Sequence, residues 1–424
     1  MDRKIIFSWC LYDWANSAFS TVIGTFVFSV YFANQIYGDP TGGSILWGYT
    51  IGVAGLFVAI IAPVIGAIAD HGGHHKKWMG LATGATVIAS FLMFFAEPSE
   101  RFIVFSLILV VIATIGFELG TIFYNSTLHL VAPKGYWGRV SGWGWSLGYL
   151  GGLFCLILAL TTLIKPEVPF FGLSRQGSEN IRAIGPLVAV WIGLFAIPIF
   201  IYMPSKKIRS GGIAVSFRAG LQKLRETIYT IKSNRPLVLF LLASALYRDG
   251  LATLFAIGGV YAADVHDMDI EQIMLFAIGL NLSSGIGAFV FSWLDDFIGS
   301  RDTILIGIFG LVGFGFGILF LESQTTFIVL SIGLGMFVGP VQSASRSLMA
   351  QLATQGSEVE MFGFYALTGR SVAFLGPFLY AATTELFDSQ RAGLATILLA
   401  WVLGGLLLFC VRVNSSNGGS VSSQ

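Results

Sequence analysis

Charge is scarce in this sequence: Asp, Glu, Lys and Arg together make up 11% of its 424 residues, where soluble domains carry about a quarter. With 55% hydrophobic residues beside so few charges, a soluble globular chain is excluded and a polytopic membrane protein is indicated. The formal net charge is only +1. Basic residues fall in short clusters between apolar runs, and without a continuous basic stripe there is no case for a nucleic-acid partner. Cysteine is nearly absent. Cys10, Cys155 and Cys410 lie within apolar runs, without Cys-x-x-Cys spacing or a neighbouring His, and read as small buried hydrophobes. No Gly-x-x-x-x-Gly-Lys-[Ser/Thr] stretch occurs, so direct drive by ATP is unsupported.

What is present is apolar length. A helix crossing a core of about 30 Å needs about 20 apolar residues. Twelve windows qualify, over 7–33, 44–68, 77–96, 101–127, 141–163, 184–203, 236–262, 271–294, 302–321, 326–349, 360–383 and 391–412. The N-terminus imitates a signal peptide, but Asp13 interrupts its apolar run and no clear cleavage site follows, so it is expected to be retained as the first helix. With that end inside, sixteen Lys and Arg fall in cytoplasmic segments and five on the opposite side. The imbalance predicts both termini in the cytoplasm.

The segment 204–236 holds eight of those basic residues and separates six windows from six. Phe217, Leu221, Leu224, Ile228 and Ile231 recur there at helical spacing, which predicts an amphipathic helix on the cytoplasmic surface. The expected organisation is a first six-helix half over 1–203, a linker over 204–236, a second half over 237–413 and a disordered Ser- and Gly-rich tail over 414–424. The halves echo one another. Leu11-Tyr12-Asp13 returns as Leu246-Tyr247-Arg248-Asp249, Val30-Tyr31 as Val260-Tyr261, and the Asp70 loop as the Asp296 loop, in the same order and at offsets between 226 and 235 residues. A duplicated six-helix unit accounts for the order economically.

Gly66-x-x-x-Asp70-x-x-Gly73 followed by His74, His75, Lys76 and Lys77 resembles the loop signature of the major facilitator superfamily. Within it, Tyr12-Asp13-Trp14-Ala15-Asn16-Ser17-Ala18-Phe19, Gly148-Tyr149-Leu150-Gly151-Gly152, Tyr247-Arg248-Asp249-Gly250, Arg346-Ser347-Leu348 and Glu360-Met361-Phe362-Gly363 with Gly376-Pro377 are similar to the vacuolar amino-acid effluxer family and its bacterial relatives. The resemblance implies an all-α integral membrane protein with twelve transmembrane helices in two pseudo-symmetric halves. It also implies transport of small solutes, with amino acids the best-known cargo. His71, His74 and His75 stand where the loop signature usually carries arginines, and Arg248 where a neutral residue is commoner.

An ionisable side chain at helix centre costs about 2.5 to 3.5 kcal/mol on insertion scales and so needs a partner or a function. Asp13, Glu118, Asp249, Arg248, Arg346 and Arg370 lie inside windows. At 1.5 Å per residue, Asp13 is roughly 10 Å and Asp249 roughly 20 Å along its helix from the cytoplasmic end. One expectation has Asp13 and Asp249 lining a central cavity with Tyr12, Asn16, Glu118, Tyr247, Arg248 and Arg370, binding a substrate ammonium or a proton while an arginine takes a carboxylate. The other has Asp13 paired to a basic residue as a bundle tie. Depth favours Arg248 and Asp249 together for the cavity reading, whereas Arg346, near a helix end, is expected to snorkel.

Asp70, Gly73, Lys76, Lys77, Asp296, Gly299, Arg301 and Arg346 are the candidate gate, with Asp70 and Asp296 meeting basic residues and helix ends across the cytoplasmic face. The glycines of windows five and eleven predict close helix contact. An enzyme is a poor fit: His71-x-x-His74-His75 resembles one histidine box of the membrane di-iron oxygenases, but only His129 and His266 remain for others. Asp295, Asp296 and Asp302 likewise lack a second aspartate cluster to hold metal-bound diphosphate. A channel would need a charged ring or filter, and a receptor a soluble output module. The expectation is therefore a monomeric secondary carrier, proton-coupled and acting in export, in a bacterial inner membrane. Its partners are a small-molecule substrate, protons and the lipid bilayer, and no cofactor or metal is called for.

Overall fold

The computed structural model describes residues 2–72, 74–204, 226, 229, 231, 233–321 and 323–412. Among them the regular structure is entirely helical. Eleven helices are long and apolar enough to cross a membrane. In chain order these and the one further crossing are α1 (Arg3–Ile36), α2 (Pro40–Gly72), α3 (His75–Phe95), α4 (Glu100–Ser126), α5 (Lys134–Ile164), α6 (Glu179–Tyr202), α7 (Arg235–His266), α8 (Ile270–Ile298), α9 (Ser300–Phe320), α10 (Gln324–Leu352), α11 (Glu358–Val372 with Leu375–Phe387) and α12 (Gln390–Phe409).

Among the departures from uniform α-helix, those of α1 and α11 lie nearest the candidate residues. The outer part of α1 runs in π-helical turns over Phe19–Phe26 and Phe32–Ile36. The eleventh window is not one continuous helix, since α11 breaks at Ala373 and Phe374. The carboxylate of Asp249 on α7 sits at the start of its second segment and accepts the Gly376 amide. A side-chain acceptor there satisfies a helix-start donor that lipid could not.

Alternate helices run up and down, so the ends of α2, α4, α6, α8, α10 and α12 share one face of the bundle with the starts of α1, α3, α5, α7, α9 and α11. That face carries Arg3, Lys4, Lys76, Lys77, Lys134, Arg139 and Arg301 and is called the basic face below. The six-plus-six arrangement closes along two seams, α5 against α8 and α2 against α11. Glycine makes both possible. A Cβ on Gly142 would meet the Ser292 side chain and the Ala288 carbonyl of α8, and one on Gly66 would meet the Glu360 backbone of α11. The expected surface helix around 217–231, Gly73 and the tail over 414–424 lie outside the described residues, apart from Glu226, Tyr229 and Ile231.

Candidate functional site: a charged seam and a mid-bundle arginine pair

The first layer lies toward the basic face. Arg346 of α10 is buried, at 3% exposure, and does not snorkel as expected. Its guanidinium points inward, with Nη1 donating to Asp13 Oδ2 at 2.8 Å and Asn125 Oδ1 at 3.1 Å, Nε to Ser141 Oγ at 2.8 Å and Nη2 to the Ser141 carbonyl at 2.6 Å. Trp9, Tyr124 and Trp145 surround it with ring faces. Tyr124 also donates to Asp13 Oδ2 at 2.9 Å. Four acceptors and three rings satisfy a planar five-donor group and lower the cost of burying it. Asp13 is thus paired with a basic residue, and that residue belongs to the other half. Gly144 makes the room: a Cβ there would stand 2.7 Å from Asp13 Oδ2 and 2.9 Å from Arg346 Nη2.

Two further ties sit at the seams and mirror each other. Asp70, in the last turn of α2, accepts the backbone N–H of Glu360 in the first turn of α11 at 3.0 Å. Asp296, in the last turn of α8, accepts the backbone N–H of Arg139 near the start of α5 at 3.1 Å. A carboxylate at a helix N-terminus is favoured by the exposed amides and the helix dipole. The mirror is imperfect in its cation. Arg139 Nε lies 3.2 Å from Asp296 Oδ2, whereas Asp70 Oδ1 meets His75 Nε2 at 2.9 Å. His129 and Glu358 approach across the same face at 3.5 Å.

Of the other candidate gate residues, Lys76 donates to the Met203 carbonyl at 2.7 Å and Arg301 to the Phe409 carbonyl at 2.6 Å, both within their own halves. Lys77 is exposed. Gly299 turns the chain from α8 into α9 at φ +95°, which only glycine adopts readily. Arg139, Tyr124, Asn125 and Ser141 were not candidates from the sequence. Arg139 alone had a signal, since it lies 221 residues before Glu360, close to the repeat offset.

The second layer is nearer mid-bundle. Arg370 of α11 forms an ion pair with Glu118 of α4. Their side chains keep 36% and 17% exposure, so water-sized groups reach both. Gly55 of α2 faces the Arg370 guanidinium, 3.4 Å from where its Cβ would be. Arg248 of α7 lies over the Tyr365 ring at 4.1 Å, donates to the Tyr365 carbonyl at 3.2 Å and abuts Gly369. Arg248 and Asp249, both expected at the cavity, point to different neighbours. Consecutive helical residues point about 100° apart, and Asp249 turns away, 5% exposed, to Gly376. Arg248 has no carboxylate within 4 Å among the described residues.

Three remaining candidates face their own halves. Tyr12 shares a hydrogen bond with Thr83 at 2.9 Å, Asn16 donates to Thr121 at 3.0 Å, and Tyr247 shares one with Ser345 at 2.7 Å. The one-turn spacing of Tyr12 and Asn16 therefore places them on a packing face in this conformation.

The family model described as "Vacuole effluxer Atg22 like" matches residues 134–418. The chain belongs to the Atg22-like effluxer family. A Major Facilitator Superfamily model matches residues 2–156 of the same chain. Over 98% of its length this Atg22-like chain is 27% identical to an uncharacterized MFS-type transporter, YxiO, of Bacillus subtilis (strain 168), covering 96% of that protein. It is 25% identical over 60% of its length to autophagy-related protein 22-1 of Penicillium rubens, and spans only 45% of that fungal relative. In fold it is similar to the proton:xylose symporter XylE, with a TM-score of 0.73 at 12% identity over 96% of this chain and 95% of that one. A bacterial homologue of the iron transporter ferroportin, in an outward-facing state, superposes with a TM-score of 0.69 at 14% identity over 96% and 98% of the two chains. The Atg22-like chain is therefore a multi-pass transporter of the major facilitator fold, with two six-helix halves.

Proposed function

We propose that this transporter moves a small carboxylate-bearing solute of the amino-acid kind by alternating access, driven by protons, in a bacterial inner membrane with its basic face in the cytoplasm. The observation that carries the reading is that Arg248, without a carboxylate within 4 Å among the described residues, packs on Gly369, next in sequence to Arg370 of the partly exposed Arg370 and Glu118 pair. A guanidinium without a carboxylate at that depth asks for an anionic partner, and a substrate carboxylate fits its planar fork. Glu118, released from Arg370, would take the substrate ammonium or a proton.

Alternating access is supported by the distribution of polar ties between halves. Asp13 with Arg346, Asp70 with Glu360, Asp296 with Arg139 and Ser141 with Ser343 all cross between halves toward the basic face. On the opposite face the hydrogen bonds of Tyr31 to Ala96, Arg182 to Phe94 and Gln390 to Asp264 each stay within one half. This is the pattern of a carrier closed toward the basic face and able to open toward the other. Export direction follows the resemblance to effluxers.

The test is flux in proteoliposomes over amino acids, small peptides, sugars and organic acids, with and without an imposed pH gradient. Saturable uptake of a carboxylate solute, accelerated by the gradient, is expected. Hits confined to sugars would sink the substrate class, and indifference to the gradient the coupling.

A further inference from the structure

A groove of about 1000 Å³ runs along the outer flank of the bundle, where α1 and α5 of the first half meet α8 of the second. Its lining includes Phe7, Leu147, Ile286 and Phe289, with Ser146 and Gly285 among the small residues. Phe7 is 61% and Ile286 48% exposed although both belong to membrane-crossing helices, so the groove faces the lipid side and not the transport path. The one charged residue lining it is Arg3, in the first turn of α1 at the basic face. Arg3 has no carboxylate within 4 Å among the described residues, and Lys4 stands exposed beside it. Two other cations of that face already have carboxylates, Arg139 with Asp296 and Arg301 with Asp302.

We propose that this groove is a binding site for an anionic phospholipid, its acyl chains against the α1, α5 and α8 walls and its headgroup phosphate at Arg3. Charge complementarity selects this occupant: an apolar trough that ends in an unneutralised cation matches a lipid with a negative head, and a zwitterionic lipid gains less there. The walls come from both halves, so a lipid seated in the groove ties α8 to α1 and α5 and favours the conformation closed at the basic face. That preference rests on the alternating-access reading. The site itself does not.

Native mass spectrometry on the full chain, delipidated in detergent and titrated with phosphatidylglycerol or phosphatidylcholine of identical acyl chains, tests the site. Phosphatidylglycerol is expected to be retained about fivefold better, the effect of one basic residue at an anionic head. Arg3→Gln should abolish the preference. Leu282→Trp, which fills the groove from an exposed position, should release both lipids at unchanged Tm. Equal retention by the unaltered protein, a preference that survives Arg3→Gln, or lipid binding that survives Leu282→Trp overturns the proposal. So does a dimer mass that disappears with Leu282→Trp, which would give the groove to a second copy. Loss of solute flux in liposomes with lipid retention intact would count against the transport reading alone.

Discussion

Asp13 and Arg346, 333 residues apart in sequence, form an ion pair at 2.8 Å, the arginine buried and the carboxylate partly so, that joins the two halves of the transporter. Its members begin as anomalies in apolar helices and end as each other's compensation. On the alternating-access reading, a motion that opened the basic face would have to separate them, and the pair would contribute to the free-energy difference between the two access states.

Removing one member of a buried pair leaves the other uncompensated at a cost of about 3 to 5 kcal/mol, an upper bound here because the Asp13 carboxylate keeps some exposure. Asp13→Leu and Arg346→Leu should each lower Tm sharply, and the double variant should recover much of the loss. A double-mutant cycle on thermal unfolding in detergent reads the coupling. Additive losses would show that the two side chains do not depend on one another.

The Asp70 and Asp296 ties should behave alike because each holds the first turn of the facing helix. A hydrogen bond to a charged group contributes about 1.5 to 3 kcal/mol, so Asp70→Ala or Asp296→Ala should populate the state open at the basic face. A cysteine placed at Ser343, which is 3% exposed in the seam, should then react faster with a polar maleimide. Unchanged reactivity would remove these carboxylates from the gate.

Gly142→Val should block closure of the α5 and α8 seam, because a side chain there runs into Ser292 and Ala288. Gly84→Ala is the control. Nothing lies within 4 Å of its added Cβ, and in a helix interior the exchange should stabilise by about 1 kcal/mol. Flux and Tm measured on both variants separate loss of closure from loss of fold.

Arg248→Ala should raise KM for a carboxylate solute by roughly 10- to 100-fold, the equivalent of losing a charged hydrogen bond. Arg248→Lys should not restore it, since an ammonium lacks the planar fork. A KM unmoved by either exchange would place the carboxylate elsewhere, with Arg370 the next residue to substitute.

The twelve apolar windows, the duplicated halves and the family were legible in the sequence because hydrophobic length and repeated motifs are local properties. So was the identity of the buried charges, since insertion cost marks an intramembrane ion wherever it lies. Their partners were not legible. Arg248 and Asp249 are adjacent in sequence yet diverge to Tyr365 and Gly376, because a helix turns each residue away from the last. Arg346 looked close enough to a helix end to reach water. Only the approach of α1 and α5, with Gly144 vacating the space between them, supplies the Asp13 carboxylate that draws it inward.

By itself, then, the sequence determined which segments enter the membrane, which side carries the basic residues and which ions must be compensated there, all consequences of transfer free energy summed along the chain. The tertiary structure decided which ions compensate each other, which amide each aspartate holds and which arginine is left without a carboxylate. Those outcomes depend on which helix faces meet across the seams, and that is set by packing between residues hundreds of positions apart.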